Sequence, residues 1–462
     1  MIKDDQWPIA RLIPITSASG VEAQERRATS ALLAVIAAVP EFGRSLLKPL
    51  GAPAGRVESF IEIPFKLGER SIRPDGIITV SRAGKFWGAI VETKVGQSPL
   101  EAAQMDTYLD LARDLKFEAV LSISNQYVTS SSDYPIEVDR RKARRLTLHH
   151  WSWIEILTEA EVQRKHRGVS DPDQAFILTE LIRYLRDPRS GAVALDSMGP
   201  SWTKVRDGAR DRTLRKGDSD VAAVAARWDD LVRYLGLELT TDLGRGVKQS
   251  LPSQEATPAL RQQALRAALS ESGRLYADLS IPNAAGPMRI VADLSARQVM
   301  ASTRMEAPKN ARTKGRISWL LRQLQHAPET LKVEVAVARS RDTLASTLGE
   351  IREDPSRLYP GADREIKHFV LTMTRNMGLK RDATRGSFIR TVLDSAREFY
   401  GDVLQHLRVW KSPPPKLERS EEPEAIEAAA ATSPQVEEAV EEGVEEMKRV
   451  AKDPSSIPQP SE

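Results

Sequence analysis

The chain has 462 residues, enough for two or three domains, with 41% hydrophobic and 28% charged residues, a balance that excludes fibrous and wholly disordered classes. No apolar run reaches the ~18 residues of a membrane-spanning helix, and Met1 to Asp5 lacks the apolar stretch of a secretory signal. The absence of cysteine excludes disulfides and thiolate zinc sites and points to a reducing, cytoplasmic setting. The net charge of +3 is unevenly spread: residues 411–462 hold six Lys or Arg against thirteen Asp or Glu, a net −7, which leaves +10 on the rest. A basic body suits a polyanion such as nucleic acid.

In chain order, Val21 to Val39 reads as a helix, with Val21, Ala28, Leu32, Val35 and Val39 at helical spacing, ended by Pro40. Arg56 to Phe65, Ser71 to Val80 and Lys85 to Val95 read as three strands, the last two joined by a turn at Ala83-Gly84. Ser98-Pro99 is expected to open a helix running to Asp114, and Phe117 to Ser124 to follow as a buried strand. The order is α-β-β-β-α-β. Leu146 to Leu157 is a further apolar segment, with Trp151 and Trp153 expected on one strand face. Asp171-Pro172 should cap a helix that turns Phe176, Ile177, Leu181, Ile182 and Leu185 inward. Polar, basic residues 199–219 are expected to be a linker. Beyond it, Pro258–Leu269, Arg274–Ile281, Met288–Leu294, Gln298–Met305, Lys309–Gln325 and Leu331–Ala338 repeat the α-β-β-β-α-β order, which raises a decayed internal copy, and Phe388 to Leu407 reads as a closing helix. The Ser-Pro-Pro-Pro at Ser412 to Pro415 introduces a tail rich in Glu and Ala that is expected to be disordered. The resulting division is a first domain over 1–198, a linker over 199–219, a second α/β domain over 220–410 that binds nucleic acid or a partner, and an acidic tail over 411–462.

The chemistry concentrates in the first domain. Its second strand carries Arg73-Pro74-Asp75-Gly76 and its third Glu92-Thr93-Lys94. Strand side chains alternate, so Glu92 and Lys94 share a face, and two adjacent strands can bring them to Asp75. Two carboxylates with open positions suit Mg²⁺ or Mn²⁺, and the Thr93 carbonyl could add a ligand. Such a metal polarises a scissile phosphate and acidifies a bound water, while Lys94 would stabilise developing negative charge. Ala89, Ile90 and Val91 make this strand read as buried, which argues against surface charge alternation.

This pattern resembles the PD-(D/E)xK nuclease superfamily of restriction enzymes, resolvases and RecB-type exonucleases, over roughly residues 20–130. The resemblance implies a restriction-endonuclease-like core and places the family's two acids on Asp75 and Glu92 and its lysine on Lys94. It also matches the Gln-x-x-x-Tyr of RecB-type members with Gln104 and Tyr108, and a first-helix glutamate with Glu25. Glu25 lies on the apolar stripe of its helix, where an unpaired carboxylate is costly, whereas Glu22 lies off it. The implied activity is Mg²⁺-dependent hydrolysis of DNA phosphodiesters, with RNA the second candidate substrate, in genome defence, repair or a stress response. The rival reading is a non-catalytic nuclease-fold module that binds nucleic acid or scaffolds a defence complex, and a homodimer or defence-system partner stays open. His149 and His150 are adjacent on a strand and face opposite ways, so they make a poor metal pair. Lys309, Arg312 and Arg316 are expected on one basic helix face that contacts nucleic-acid phosphates.

Overall fold

The computed structural model describes residues 7–410 apart from 14–19, 97, 127–133, 140, 193–194, 310, 341 and 362–363, so the acidic tail lies outside the described residues. Helix α1 (Gly20–Ala38) buries Ala28, Leu32, Leu33, Val35 and Ile36, and Pro40, which stops it, opens α2 (Pro40–Leu47). Strand β1 (Arg56–Ile61) follows, then a small ribbon of β2 (Phe65–Leu67) and β3 (Arg70–Ile72), then β4 (Gly76–Arg82) and β5 (Lys85–Thr93). Helix α3 (Ala102–Asp114) leads to β6 (Ala119–Ser124), β7 (Thr147–Ser152), α4 (Trp153–Val162) and α5 (Pro172–Arg186).

The first sheet has the order β1-β4-β5-β6-β7. β1, β4 and β5 pair antiparallel, whereas β6 runs parallel to β5 and β7 parallel to β6. Both faces are covered. Ile78, Val80, Ala89 and Val91 pack with Leu32, Leu33 and Ile36 of α1, while Ile77, Ile90 and Val120 pack with Met105, Tyr108 and Leu109 of α3. β5 is therefore hemmed in by neighbours on two edges and two faces.

Four local expectations shift. The strand expected over Ser71 to Val80 breaks at Arg73 to Asp75, because Pro74 has no N–H for a ladder. Gly76 resumes the strand where a Cβ would sit 2.4 Å from Leu33 Cδ1, so α1 passes directly over it. Helix α3 begins at Ala102 rather than at Pro99, since buried Leu100 first anchors the chain in the core. Along α5, Leu178, Leu181 and Leu185 face inward and Phe176 is 62% exposed, which corrects its expected inward placement. Trp153 is also not on the strand. Ser152 and Glu155 form a capping box that starts α4 there, although both Trp151 and Trp153 are buried.

The second half comprises α6 (Trp202–Asp211), α7 (Ser219–Leu243), β8 (Lys248–Ser250), α8 (Pro258–Ser272), β9 (Arg274–Ser280), β10 (Met288–Asp293) and β11 (Gln298–Glu306). It continues with α9 (Thr313–Gln323), β12 (Lys332–Val337), β13 (Thr343–Thr347), α10 (Leu348–Glu353), β14 (Ile366–Asn376) and α11 (Phe388–Asp402). Its sheet has the order β13-β12-β14-β11-β10-β9-β8 and every pairing is antiparallel. β10 and β11 are neighbours as expected, but β14 inserts between β11 and β12. The first sheet instead pairs β5 with β6 directly and in parallel, so the second sheet is not a copy of it.

The expected linker over 199–219 contains α6, whose Trp202, Val205 and Ala209 are buried. Trp202 stacks on Phe388 with ring centroids 4.3 Å apart and donates its indole N–H to the Leu379 carbonyl. Two apolar residues at i and i+3 sufficed to dock a segment whose polar composition hid them. Helix α4 packs on α7, and His166 Nε2 lies 2.8 Å from the Thr241 carbonyl, so both halves belong to one unit over residues 1–411. Among the described residues no single helix is long and apolar enough to cross a membrane. Trp202→Ala is expected to destabilise the protein by about 3–5 kcal/mol through the cavity it leaves. Urea unfolding measures this, and a change below ~1 kcal/mol would return the segment to a dispensable connector.

Candidate functional site

The end of β5 is the focus. Glu92 is 1% exposed, and its Oε1 accepts a hydrogen bond from Lys94 Nζ at 2.6 Å. Extending the β4–β5 register places Asp75 beside Glu92, one residue before β4 begins. Asp75 Oδ2 accepts the Thr93 N–H at 2.8 Å and the Thr93 hydroxyl at 3.0 Å. Thr93 faces α1, where its hydroxyl meets that of Thr29, which also donates to the Glu25 carbonyl at 2.7 Å. A polar chain thus joins α1 to both strands through the core.

Glu25 is half-buried, and its Oε1 accepts the Val95 N–H at 3.4 Å. Its inward direction agrees with the helical stripe, while Glu22 is exposed and pairs with Arg26. Gln104 donates to the Tyr108 hydroxyl at 3.0 Å, and that hydroxyl lies against the Glu92 carboxylate. Glu25, Asp75, Glu92, Lys94, Gln104 and Tyr108 therefore converge on one place. Thr93 lies beneath them with its N–H and hydroxyl both given to Asp75.

The electrostatics follow from burial. Desolvation, and then the nearby Asp75 charge, push the Glu92 carboxyl up from 4.5 to about 7, against the opposing pull of Lys94. Burial also raises the Glu25 carboxyl and the Tyr108 hydroxyl. Burial alone would lower the Lys94 ammonium, but Glu92, Asp75 and Glu25 outweigh it and hold the group charged. Glu92 Oε2 is buried and has no hydrogen-bond partner among the described residues. An unpartnered carboxylate oxygen beside a second carboxylate, with a pKa raised by both, is a setting that a divalent cation would relieve. The donor set of hard oxygens fits Mg²⁺ or Mn²⁺. Among the described residues no three His, Asp or Glu are gathered as a complete cage, so water and substrate would have to complete the shell.

Several contributors were not foreseen. The Trp153 indole donates to the Lys94 carbonyl at 2.8 Å and fixes the end of β5. Ser122 sits opposite Glu92 on β6, and His150 opposite Ser122 on β7. Tyr134 donates to Ser122 Oγ at 2.7 Å, and Ser122 lies 2.8 Å from His150 Nδ1. His150 Nε2 faces the Gln126 carbonyl at 3.1 Å, an acceptor only, so Nε2 carries the proton and Nδ1 receives the Ser122 hydroxyl. Burial drops His150 to about 4, which keeps the imidazole neutral in this row. His149 instead packs edge-on against Trp151. Serine and histidine on predicted strands were the available signal, but their register was not.

The expected basic face does not form. Arg316 is 4% exposed and donates to the carbonyls of Ala311, Ile366 and Lys309 at 2.7, 2.6 and 3.0 Å. These buried carbonyls need donors, and a guanidinium supplies several at once. Lys309 and Arg312 are exposed but precede α9, with Arg312 as its N-cap residue.

Comparison with protein-family models, curated proteins and solved structures finds no match to this chain.

Because folding raises the Glu92 pKa, the native protein keeps this proton over a range where the unfolded chain has released it. Between pH ~4.5 and ~7 the contribution of Glu92 therefore destabilises the metal-free fold as pH rises. Glu92→Gln should flatten this slope, by up to ~3 kcal/mol between pH 4.5 and 8. Urea unfolding in EDTA across that range is the measurement, and identical slopes for the two proteins would remove the burial cost assigned here.

Proposed function

We propose that this chain is a Mg²⁺-dependent nuclease of the PD-(D/E)xK type, with DNA as its first candidate substrate and RNA as its second. The observation that carries the reading is the meeting of Asp75, Glu92 and Lys94 at the ends of adjacent strands, with Glu92 Oε2 left unpartnered. The α1-β1-β4-β5-α3-β6 order, interrupted by α2 and the β2–β3 ribbon, supports it, since the resemblance implies an α-β-β-β-α-β core.

In this reading Asp75 and Glu92 hold the metal, with the Thr93 carbonyl as a further candidate ligand. When bound, Mg²⁺ supplies Lewis acidity toward the scissile phosphate and lowers the pKa of a coordinated water. Lys94, kept protonated by the three carboxylates, stabilises negative charge as it develops on the phosphate oxygens. Glu25 offers a second carboxylate near Lys94 for orienting water. Gln104 positions Tyr108, which steadies the Glu92 carboxylate. The Thr93 N–H and hydroxyl, both donated to Asp75, hold the first acid against reorientation.

Linear, nicked and circular DNA and single-stranded RNA, each with Mg²⁺, Mn²⁺ or EDTA, test the activity directly. Asp75→Ala, Glu92→Ala and Lys94→Ala should each lower the cleavage rate by about a hundredfold or more, with circular dichroism showing the fold retained. Wild-type rates in all three variants would end the catalytic assignment. Metal-independent DNA binding with no cleavage under any condition would favour the non-catalytic binding module instead.

A further inference from the structure

A second feature lies on the α3 side of the same sheet, in the segment between β6 and β7. Residues 139–145 read Asp-Arg-Arg-Lys-Ala-Arg-Arg, five cations in seven positions. Arg140 lies outside the described residues. The others are held by a definite scaffold. Asp106 of α3 accepts the Asp139 N–H at 2.9 Å, Lys142 pairs with Asp110 of α3, and Arg113 of α3 donates to the Arg141 carbonyl at 2.9 Å. Asp139 Oδ1 accepts the Arg141 N–H at 2.8 Å, and turns close from Arg144 N to Arg141 O and from Leu146 N to Ala143 O. Ala143 and Leu146 pack on the core shared with α3.

This division of labour decides where the charges point. Backbone groups, Lys142 and the two apolar side chains anchor the segment. Arg141, Arg144 and Arg145 are left exposed, and their guanidinium groups make no ion pair among the described residues. Tyr134, five residues before Asp139, donates to Ser122, which lies opposite Glu92 in the sheet, and from Arg145 the chain enters β7 at Thr147, beside Ala119 at the start of β6. A polyanion approaching Asp75, Glu92 and Glu25 meets repulsion that Lys94 alone does not cancel, and cations fixed on the same side of the sheet would offset it.

We propose that Arg141, Arg144 and Arg145 form a surface that grips the phosphate backbone of a nucleic acid on the α3 side of the sheet. It takes the place of the face once expected around Arg316. The choice of nucleic acid over an acidic protein rests on the nuclease reading, but the test below reads binding alone. The segment is pre-ordered by α3, so the arginines meet phosphates with little ordering cost, and Arg suits bidentate contact with phosphate oxygens.

The experiment measures binding of a labelled 20-base-pair DNA duplex to the full chain in EDTA by fluorescence anisotropy, over a series of salt concentrations. Replacing Arg141, Arg144 and Arg145 together by Gln should weaken binding about tenfold or more at low salt. It should also make the slope of log K against log salt shallower by about two to three, one phosphate contact per arginine. The thermal midpoint should stay near wild type, because all three side chains are exposed. A triple Lys variant should keep most of the slope, and Lys309→Gln with Arg312→Gln should leave binding unchanged. An unaltered affinity and slope in the triple Gln variant overturns the proposal. So does poly-glutamate binding as tightly as DNA and lost in the same variant, which assigns the surface to acidic proteins. Slope loss in a chain that never cleaves leaves this surface standing and removes only the nuclease reading. Cleavage with an unaltered slope does the reverse.

Discussion

A carboxylate at position 92 sits on a strand that has no free edge and no open face. β4 and β6 flank β5, while α1 and α3 cover it above and below. Glu92 is almost wholly withdrawn from bulk solvent there, so protein groups must stand in for most of its hydration, and the surrounding arrangement follows from that need. Lys94, two residues along the same face, answers one oxygen. Tyr108 reaches toward the carboxylate from α3, with Gln104 one turn away holding its hydroxyl. The other oxygen has no partner, and the raised pKa of the acid records the deficit in the same terms. Stable folds rarely leave such a group unsatisfied without a functional reason.

The opposite side of the strand is organised differently, and the contrast is instructive. Thr93 points to α1, touches the Thr29 hydroxyl and gives both its N–H and its own hydroxyl to Asp75. That side fixes the position of Asp75 with its carboxylate oriented toward β5. Trp153 fastens the Lys94 backbone from α4, more than fifty residues away. One side of β5 is therefore scaffold, and the other holds the Glu92 carboxyl and the Lys94 ammonium. Placement of reactive groups on a strand whose neighbours are all packed is the arrangement expected where geometry must be held to fractions of an ångström.

The second sheet shows how the same order of elements can reach a different architecture. Helix α8, strands β9 to β11, helix α9 and strand β12 follow each other as α1 to β6 do. Yet the eleven residues of β14 take the place next to β11, and β12 pairs outside it. Strand pairing is settled by competition among distant segments for the same edge, and a linear order of helices and strands carries no record of which one wins. Arg316 makes a similar point at the level of one side chain. Helical spacing set it with Arg312 on a polar face, but its long stem reaches the carbonyl of Ile366, fifty residues ahead, and the head is buried.

What the sequence determined alone was local and periodic. Alternation along the strand expected over Lys85 to Val95 put Glu92 and Lys94 on one face, and the stripe of α1 turned Glu25 inward. These readings depend on backbone geometry within a few residues, which is the same wherever the segment ends up. Tertiary structure decided everything that needed a partner from far along the chain. It joined Thr29 to Thr93, Trp153 to the Lys94 carbonyl, and Tyr134 through Ser122 to His150, and it pinned Asp139 and Lys142 to the acidic side chains of α3. It also docked Trp202 in a stretch whose composition reads as a linker, and left Phe176 in solvent. Each of these outcomes turns on which surfaces meet, and burial and hydrogen-bond satisfaction are properties of the assembled pair rather than of either segment.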